Sequence, residues 1–317
     1  MSKKGRQMAS GGIQSHRKKQ LIFFCALLAI PVIQFCVFYL GVNFNSILLA
    51  FKNYTIEDGY GFAGFSNFVA VFEDIFKPES ENYVIITNSL KNSLVMGLLS
   101  LFVGIVFSVI FSYYIFKKYT GSELFKVFLF LPSMISSVIL VIIFKKFIDG
   151  AIPELIFKLC GKQKEGLLSN ADTQLGTIMG YLLFVGLGTQ IMMYSGAMSG
   201  ISPSIIEAAE LDGCNPFTEF VYIIVPLIFG TIKTFIVVTV ATVFTNQMGL
   251  FSLYGPNASI SNPKITSMGY YLYRLAYSGQ LAIMPKLAAF GICLTLVSIP
   301  TTYLVKFLLE KYGPSED

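Results

Sequence analysis

The sequence predicts an all-α integral membrane protein with six transmembrane helices. Of its 317 residues, 54% are hydrophobic and only 13% are charged, whereas about 25% of residues are charged in a typical soluble domain. Several apolar runs reach the roughly 20 residues that are needed to cross a bilayer. Each span has to be helical, because an open strand edge leaves backbone groups unpaired in lipid.

The apolar runs give the expected spans in chain order: Leu21–Gly41, Leu90–Phe116, Leu124–Phe147, Leu175–Met198, Phe220–Thr245 and Met284–Leu309. Pro132, Pro226 and Pro300 fall within or at the end of these runs, where a proline kinks or ends a helix. We recognise no Gly- or Pro-broken half-helices at corresponding positions of two repeats. That argues against an inverted-repeat secondary transporter.

Residues 1–20 form a basic tail with six positive charges and no acid: Lys3, Lys4, Arg6, Arg17, Lys18 and Lys19. Even with the tail counted on the inner side, the basic residues divide almost evenly between the two sides. The dense tail on the first helix therefore decides the orientation and is expected in the cytoplasm. Residues 21–83 then form the first helix and an outer segment. Residues 84–309 form the transmembrane core, and 310–317 are a second cytoplasmic tail. No folded basic domain follows the tail, so nucleic-acid binding is not expected.

The cysteines suggest neither a disulfide framework nor a metal site. They are Cys25, Cys36, Cys160, Cys214 and Cys293, and they form no CxxC pair. With the N-terminus inside, only Cys160 lies clearly on the outer side, where it has no partner.

The acidic loop, residues 202–226, lies between the fourth and fifth spans and is cytoplasmic in this topology. It contains no Lys or Arg and four acids: Glu207, Glu210, Asp212 and Glu219. Its first part predicts a short helix with Ser202 as cap, Pro203 in the first turn and Gly213 in the left-handed position at the end. Asn215 and Pro216 are typical of the start of the next helix.

This short helix has features that suit binding in a cation-lined groove of another protein. Glu207 and Glu210 are three residues apart and therefore neighbours on the helix surface. Ala208 and Ala209 form a low ridge that a partner's backbone could approach closely. A membrane-surface anchor, by contrast, would be basic.

The loop resembles the EAA motif of ABC importer permeases, E-A-A-x3-G-x9-I-x-L-P. The matching positions are Glu207, Ala208, Ala209, Gly213, Ile223 and Pro226, and Asp212 fits the form that sugar importers of the maltose or multiple-sugar type carry. The sequence departs from the pattern at Val225, where the motif has Leu, and at Cys214, where it has Ala. The resemblance implies the type I ABC importer permease fold.

The resemblance also implies partners and a site. Five residues would form a coupling helix seated in an ATPase cleft: Glu207, Ala208, Ala209, Asp212 and Gly213. The implied partners are a second permease subunit, expected to be a paralogue, two ATPase subunits and an extracytoplasmic solute-binding protein. The chain has no GxxxxGK[ST] motif, so ATP and magnesium are expected on the separate ATPase, with no catalytic residue or cofactor on this chain.

Polar residues inside the spans suggest where a solute would pass, because they are costly in lipid and usually face a cavity or another helix. The candidates are Gln190, Tyr194, Thr239, Thr242 and Asn246. They are neutral donors and acceptors, a set that suits a hydroxyl-rich solute. Hydrogen bonding between helices accounts for such residues equally well.

These features favour a permease that carries a sugar or oligosaccharide across the cell membrane. The nearest alternative is a permease for another solute, such as a polyol phosphate or an amino acid. An ion-coupled transporter is less favoured, because repeats and buried charges are missing. A membrane-embedded enzyme would need a convergent acid–base or metal set, which a single histidine, His16, does not supply.

Overall fold

Long helices make up most of the computed structural model, which describes residues 3–57, 59–161, 165–255 and 263–314. The helices of the first half are α1 (Lys3–Gln34), α2 (Val42–Leu49), α3 (Ser66–Phe76), α4 (Tyr83–Leu99), α5 (Val106–Phe116), α6 (Ser122–Met134), α7 (Ser137–Lys146) and α8 (Ile152–Cys160). The backbone of α1 begins at Lys3, so the predicted basic tail is continuous with the first helix. The tail's side chains before Lys19 lie outside the described part, as does that of Cys160.

The second half contains the acidic loop and the last three spans. Its helices are α9 (Gln174–Ser199), α10 (Pro203–Leu211), α11 (Pro216–Glu219), α12 (Val225–Leu227), α13 (Phe229–Thr242), α14 (Leu250–Tyr254), α15 (Met268–Tyr277) and α16 (Met284–Tyr312). Wider π-helical turns join consecutive helices at Phe35–Gly41, Ser100–Ile105, Phe147–Ala151 and Phe220–Ile224, and Pro263–Ile265 forms a 3₁₀ turn.

Six spans can be drawn through these helices, as the sequence predicts. Four are unbroken: Lys19–Leu49, Tyr83–Phe116, Gln174–Ser199 and Met284–Tyr312. The third and fifth spans are bent pairs, Ser122–Met134 with Ser137–Leu159 at 108° and Pro216–Leu227 with Phe229–Thr242 at 69°. The protein is therefore an all-α membrane protein, and the described ranges add only a small hairpin to its helices.

Both bends lie shortly after a predicted helix-breaking proline. Ile135 and Ser136 adopt extended backbone angles three and four residues after Pro132, and Ile228 leaves the helical region two residues after Pro226. The disturbances predicted at Pro132 and Pro226 are therefore present, as the bends of the third and fifth spans. Pro300, in contrast, does not end α16, which continues to Tyr312.

Two spans are longer than predicted. The first continues to Leu49, where Asn43 and Ser46 donate to carbonyls four residues earlier in the helix. The second begins at Tyr83 rather than Leu90, and its added turns bury Ile85 and Ile86 within the protein. The predicted fourth and sixth spans agree with the structure within a few residues.

The segment between the first and second spans contains a two-stranded sheet, which the sequence did not suggest. Strands β1 (Lys52–Thr55) and β2 (Gly59–Phe62) pair antiparallel, with Tyr54 opposite Tyr60 and their ring centroids 5.0 Å apart. Asn67 of α3 donates to two carbonyls at the start of the hairpin, at 2.9 and 2.6 Å. We call this side of the bundle the hairpin end and the opposite side, with α10 and α11, the α10 end.

Buried residues cluster at both ends of the bundle. At the hairpin end the cluster includes Met96, Ile178, Met248, Leu250 and Tyr270. At the α10 end a second cluster joins α5, α9 and the first part of the fifth span, through Tyr113, Tyr194, Met198, Ile224 and Ile228. These two clusters frame the sites described next.

Candidate functional site

Helix α10 begins where the sequence predicts, although its predicted cap does not form. Pro203 occupies the first helical position, and Ser202 has the extended backbone of a cap residue. The hydroxyl of Ser202, however, contacts the hydroxyl of Ser204 at 2.8 Å and accepts no bond from the helix backbone. The capping role predicted for the Ser202 side chain is therefore wrong, because its hydroxyl pairs with the Ser204 hydroxyl and not with a backbone amide of the helix.

Gly213 ends α10 in the left-handed conformation, as predicted, with φ at +74°. The Cys214 amide donates to the Ala209 carbonyl at 3.0 Å, and the Gly213 amide donates to the Glu210 carbonyl at 3.1 Å. These two bonds form a Schellman motif, which satisfies carbonyls that would otherwise be orphaned. A Cβ on Gly213 would meet nothing within 4 Å, so the backbone angle alone requires glycine here.

Helix α11 follows at once, and its cap does form. The Asn215 carboxamide oxygen accepts the Thr218 amide at 2.8 Å, and Pro216 occupies the first helical position. The left-handed turn and this cap give the acidic loop a fixed shape between the two helices.

The two faces of α10 differ in exposure. Glu207, Ala208 and Asp212 are exposed, whereas Ala209 is only 7% exposed because it packs against the protein's own body. The predicted ridge of two alanines is therefore wrong for Ala209. Leu211 is 89% exposed, and its spacing of four residues places it on the face of Glu207.

The exposed face of the acidic loop also has an apolar component that the sequence reasoning missed. Leu211 lies outside the spans, and Phe217, which is 74% exposed, is the second residue of the fifth span. Large apolar surface left open in water often marks a contact with another protein. The signal was present in the sequence, since Leu211 follows Glu207 by one helical turn.

Two carboxylates of the acidic loop pair with a lysine from another segment of the chain. Lys117, which follows α5, donates to Glu210 Oε1 at 2.9 Å and to Glu219 Oε2 at 3.1 Å. Burial by itself lowers the pKa of Lys117, but the hydrogen bonds and charges of the two carboxylates outweigh it and raise the pKa overall. Lys117 is therefore a cation at neutral pH.

A cavity of about 380 Å³ lies among α4, the π-helical turn Ser100–Ile105, α9 and α13, toward the hairpin end. Four of the five predicted pathway residues line it: Gln190, Thr239, Thr242 and Asn246. Ser93, Ser100 and Thr189 add further polar groups, and none of the described residues that line the cavity carries a charge. The structure thus brings together residues that the sequence placed on two separate spans.

Tyr194 does not belong to this cavity. Its side chain is fully buried, with its ring 5.1 Å from that of Phe235, and its hydroxyl has no hydrogen-bond partner among the described residues. Gln190 lies one helical turn away and faces the cavity, so the bulky aromatic ring packs into the core at the α10 end. The pathway role predicted for Tyr194 is therefore wrong in this structure.

Two side-chain amides that line the cavity are held by hydrogen bonds from within the protein. Ser108 of α5 donates to Gln190 Oε1 at 2.9 Å, which leaves the Gln190 amide nitrogen to donate elsewhere. The Asn246 carboxamide oxygen accepts the Met248 amide at 2.8 Å, which likewise leaves its nitrogen as a donor. The cavity therefore presents both donors and acceptors.

The floor of the cavity toward the hairpin end is fixed by a motif that the sequence analysis did not assign. Asn92 donates to the carbonyls of Lys264 and Thr266 at 2.8 and 2.9 Å, and Ser93 accepts the Met268 amide at 2.9 Å. These contacts hold the start of α15 against α4. Their partners are more than 170 positions away in sequence, so no local pattern indicates them.

Residues 100–313 match the model of the family described as binding-protein-dependent transport system inner membrane component. The chain is 23% identical over 256 residues to the multiple sugar-binding transport system permease protein MsmF of Streptococcus mutans, covering 80% of this chain and 84% of that protein. It is 26% identical over 256 residues to the maltose/maltodextrin transport system permease protein MalF of Klebsiella aerogenes. That match covers 76% of this chain but only 47% of MalF.

Solved structures give a similar result at the level of the fold. A chain of a bacterial alginate ABC transporter, solved in complex with an alginate pentasaccharide-bound periplasmic protein, superimposes with a TM-score of 0.75. The superposition covers 94% of this chain and 96% of that one, at 20% sequence identity.

Proposed function

Because the chain belongs to the family of binding-protein-dependent transport system inner membrane components, we propose that it is the permease subunit of an ATP-driven ABC importer for a sugar or oligosaccharide. Its fold is that of type I ABC importer permeases. The observation that carries the proposal is α10, a short helix of fixed shape that exposes an acidic and apolar face beyond the ends of the spans.

In this proposal α10 is the coupling helix and the α10 end faces the cytoplasm, with both chain termini. The basic tail supports the orientation, since basic flanks of a first span stay inside. Glu207 meets a cation in the cleft of a separate ATPase subunit, and Leu211 and Phe217 provide apolar anchors beside it. Asp212 and Gly213 fix the end of the helix. ATP and magnesium are bound by the ATPase.

The remaining partners follow from the same role. A second permease subunit, expected to be a paralogue, completes the pathway, and each permease receives one ATPase. A solute-binding protein meets the hairpin end, where the hairpin and α3 form the outer surface. The periplasmic protein in complex with the alginate transporter supports this partner.

The cavity forms part of the pathway, with Gln190, Thr239, Thr242 and Asn246 as its polar wall. Uncharged hydroxyl and amide groups can exchange hydrogen bonds with a hydroxyl-rich solute without the cost of desolvating a charge. The sugars in the full names of MsmF and MalF support this solute class. Transport needs no covalent chemistry on this chain, because ATPase closure moves α10 and α10 moves the spans.

The docking role is tested by Glu207→Arg, with Glu123→Arg as the matched control. Both glutamates are exposed and lie at the α10 end, but Glu123 belongs to α6. Placing a cation against the cationic cleft should weaken ATPase binding by at least about 30-fold, which corresponds to about 2 kcal/mol. The measurement is the ATPase dissociation constant for the permease pair in nanodiscs.

Glu123→Arg should bind the ATPase with unchanged affinity, and both variants should assemble normally with the partner permease. If Glu207→Arg also binds the ATPase with wild-type affinity, α10 is not the docking element and the proposed function loses its main support.

A further inference from the structure

Lys117 joins three segments of the chain at the α10 end. It follows the last residue of α5, it bonds to Glu210 of α10, and it bonds to Glu219, the last residue of α11. We call Lys117, Glu210 and Glu219 the lysine joint. None of these residues touches the cavity, and only Glu210 lies on the coupling helix.

We infer that Lys117 is a positioning residue for transport: through the lysine joint it makes α10, α11 and α5 move as one unit, so that a displacement of α10 reaches the wall of the cavity. This inference rests on the proposed coupling role of α10. It assigns a role to a residue outside the EAA pattern.

The strong half of the joint is the pair of Lys117 with Glu219. The side chains of Lys117 and Glu219 are 16% and 3% exposed, whereas that of Glu210 is 60% exposed. An exposed ion pair contributes little, but removal of one partner of a buried pair leaves an uncompensated charge and is strongly unfavourable. The joint therefore holds α11 firmly to α5, and α10 is held through Glu210 and the buried Ala209.

Further contacts make the same connection rigid. The Tyr113 hydroxyl donates to the Pro216 carbonyl at 3.1 Å, and the rings of Tyr113 and Phe220 are 5.0 Å apart. These contacts lie one helical turn before Lys117 on α5. Together with the joint they attach the start of the fifth span to the end of the second.

Helix α5 connects the lysine joint to Gln190, a residue of the cavity wall. Ser112 of α5 donates to the Ile191 carbonyl at 3.0 Å, and Ser108 donates to Gln190 Oε1 at 2.9 Å. Both serines are fully buried between α5 and α9. A displacement of the end of α5 is therefore passed to Gln190, which lines the cavity.

The covalent route through the fifth span is less suited to this task. That span is bent by 69° at Ile228, so a push on α11 can be absorbed by a change of the bend. The second span, in contrast, is unbroken from Tyr83 to Phe116. The lysine joint thus transmits a movement of the coupling helix to the second span, which is straighter than the fifth.

The test compares Lys117→Met with Lys118→Met in the assembled complex with its ATPases, partner permease and binding protein. Lys118 is the exposed neighbour of Lys117, so the two variants lose the same charge at adjacent positions. The reporter is Val238→Cys in a background with Ser at the five native cysteines. Val238 lines the cavity and is 51% exposed. The measured quantity is its labelling rate by a membrane-impermeant methanethiosulfonate reagent, without nucleotide and with ATP plus vanadate.

With Lys117 intact and in Lys118→Met, ATP should change the labelling rate by at least about 5-fold, the low end of typical coupling between sites. In Lys117→Met the ratio should fall to about 1, while the ATPase still co-purifies. Lys117→Arg should restore the ratio, because it keeps the cation. A full ATP-dependent change in Lys117→Met with normal ATPase binding would overturn the inference.

A second variant covers the case in which Lys117→Met fails to fold, since that change leaves the Glu219 carboxylate buried without its cation. Lys117→Met combined with Glu219→Gln removes both charges and should assemble, again without an ATP-dependent change. An assembled double variant with the normal change would overturn the inference. So would failure of the double variant to assemble, because the joint would then support folding only.

The outcome is separable from that of the docking experiment. If Glu207→Arg does not weaken ATPase binding, the proposed function fails whatever the Lys117 variants do. If Glu207→Arg weakens binding and Lys117→Met keeps the ATP-dependent change, only the lysine joint is refuted.

Discussion

At the scale of single residues, two threonines of α13 are held alike but face different surroundings. Thr242 and Thr234 are both exposed, and each donates its hydroxyl proton to the carbonyl four residues earlier, at 2.8 and 2.9 Å. Only Thr242 lines the cavity. Because its proton is engaged, Thr242 offers the cavity an acceptor, which complements the donor nitrogens of Gln190 and Asn246.

Thr242→Val should therefore weaken transport, with Thr234→Val as its matched control. Valine keeps the shape of the side chain but cannot accept a hydrogen bond from the solute. The loss of one such bond, about 1 kcal/mol, should raise the apparent KM for uptake by about 5-fold. The measurement is concentration-dependent uptake into proteoliposomes that contain the complete complex, normalised to the amount of assembled complex.

Thr234→Val should leave uptake unchanged. Equal effects of the two substitutions, or a loss of assembled complex in place of a KM effect, would identify Thr242 as a helix-stabilising residue only.

Four of the five residues predicted for the pathway line the cavity, and the exception has a physical reason. A polar residue in an apolar span faces either a cavity or a neighbouring helix, and spacing alone does not distinguish the two. Gln190 and Tyr194 are one turn apart on α9, yet only Gln190 reaches the cavity, while the Tyr194 ring packs beside Phe235. Lys117 was not predicted, since its pairing with Glu219 spans about a hundred residues and depends on the fold.

At the scale of elements, the crossing of α6 and α9 depends on one glycine. A Cβ on Gly188 would lie 2.7 Å from the Leu129 carbonyl oxygen, which is backbone and cannot move aside alone. Gly196 lies on the same helix, and a Cβ there would meet nothing within 4 Å. The two glycines form a matched pair for measuring how closely the helices have to approach.

Gly188→Ala should destabilise the protein by about 1–3 kcal/mol, because the added methyl group forces α6 away from α9. Gly196→Ala should be neutral or slightly stabilising, since alanine favours a helix. Thermal unfolding in a mild detergent checks both. A Gly188→Ala melting curve that coincides with the wild-type curve would contradict the close approach.

The limits of α10 and α11 were predictable from sequence, and so were the positions of the bends in the third and fifth spans, but not the size of those bends. Pro203, Gly213 and Asn215 act through local backbone chemistry, so their types indicate where a helix begins or ends. A proline within an apolar run predicts a disturbance but not its size. Pro226 precedes a 69° bend, whereas Pro300 lies within a continuous helix.

At the scale of the whole molecule, the proposed orientation places α10 and the hairpin on opposite sides of the membrane. Cys214, half-buried beside the end of α10, is a native probe of the inner side. The side chain of Cys160 lies outside the described residues, so Ile56→Cys provides the outer probe. Ile56 lies in the hairpin turn and is 94% exposed.

In spheroplasts, a membrane-impermeant maleimide should label Ile56→Cys at once and Cys214 only after the membrane is opened. The membrane blocks access to one side, and a docked ATPase should further slow the labelling of Cys214. Each probe is measured with the other cysteines replaced by Ser. Labelling of Cys214 in intact spheroplasts would reverse the orientation and remove α10 from the cytoplasm.

The first span packs little against the other described spans. None of its most apolar window between Lys19 and Leu49 is buried, as is also true of the sixth span, whereas a third of the corresponding window of the second span is buried. Only the end of this span, α2, approaches α16. The exposed side chains of α1 are therefore a lipid- or protein-facing surface of the complete assembly.

The lengths of the four unbroken spans have a consequence for the membrane itself. They contain 31, 34, 26 and 29 residues, whereas roughly 20 suffice for the hydrocarbon layer. At about 1.5 Å per residue, the second span measures about 51 Å, longer than the full bilayer with its headgroups. It has to tilt or to project into water, which carries Lys117 beyond the acyl chains. Because these spans are longer than the hydrocarbon layer is thick, a change in their tilt can match them to thicker bilayers.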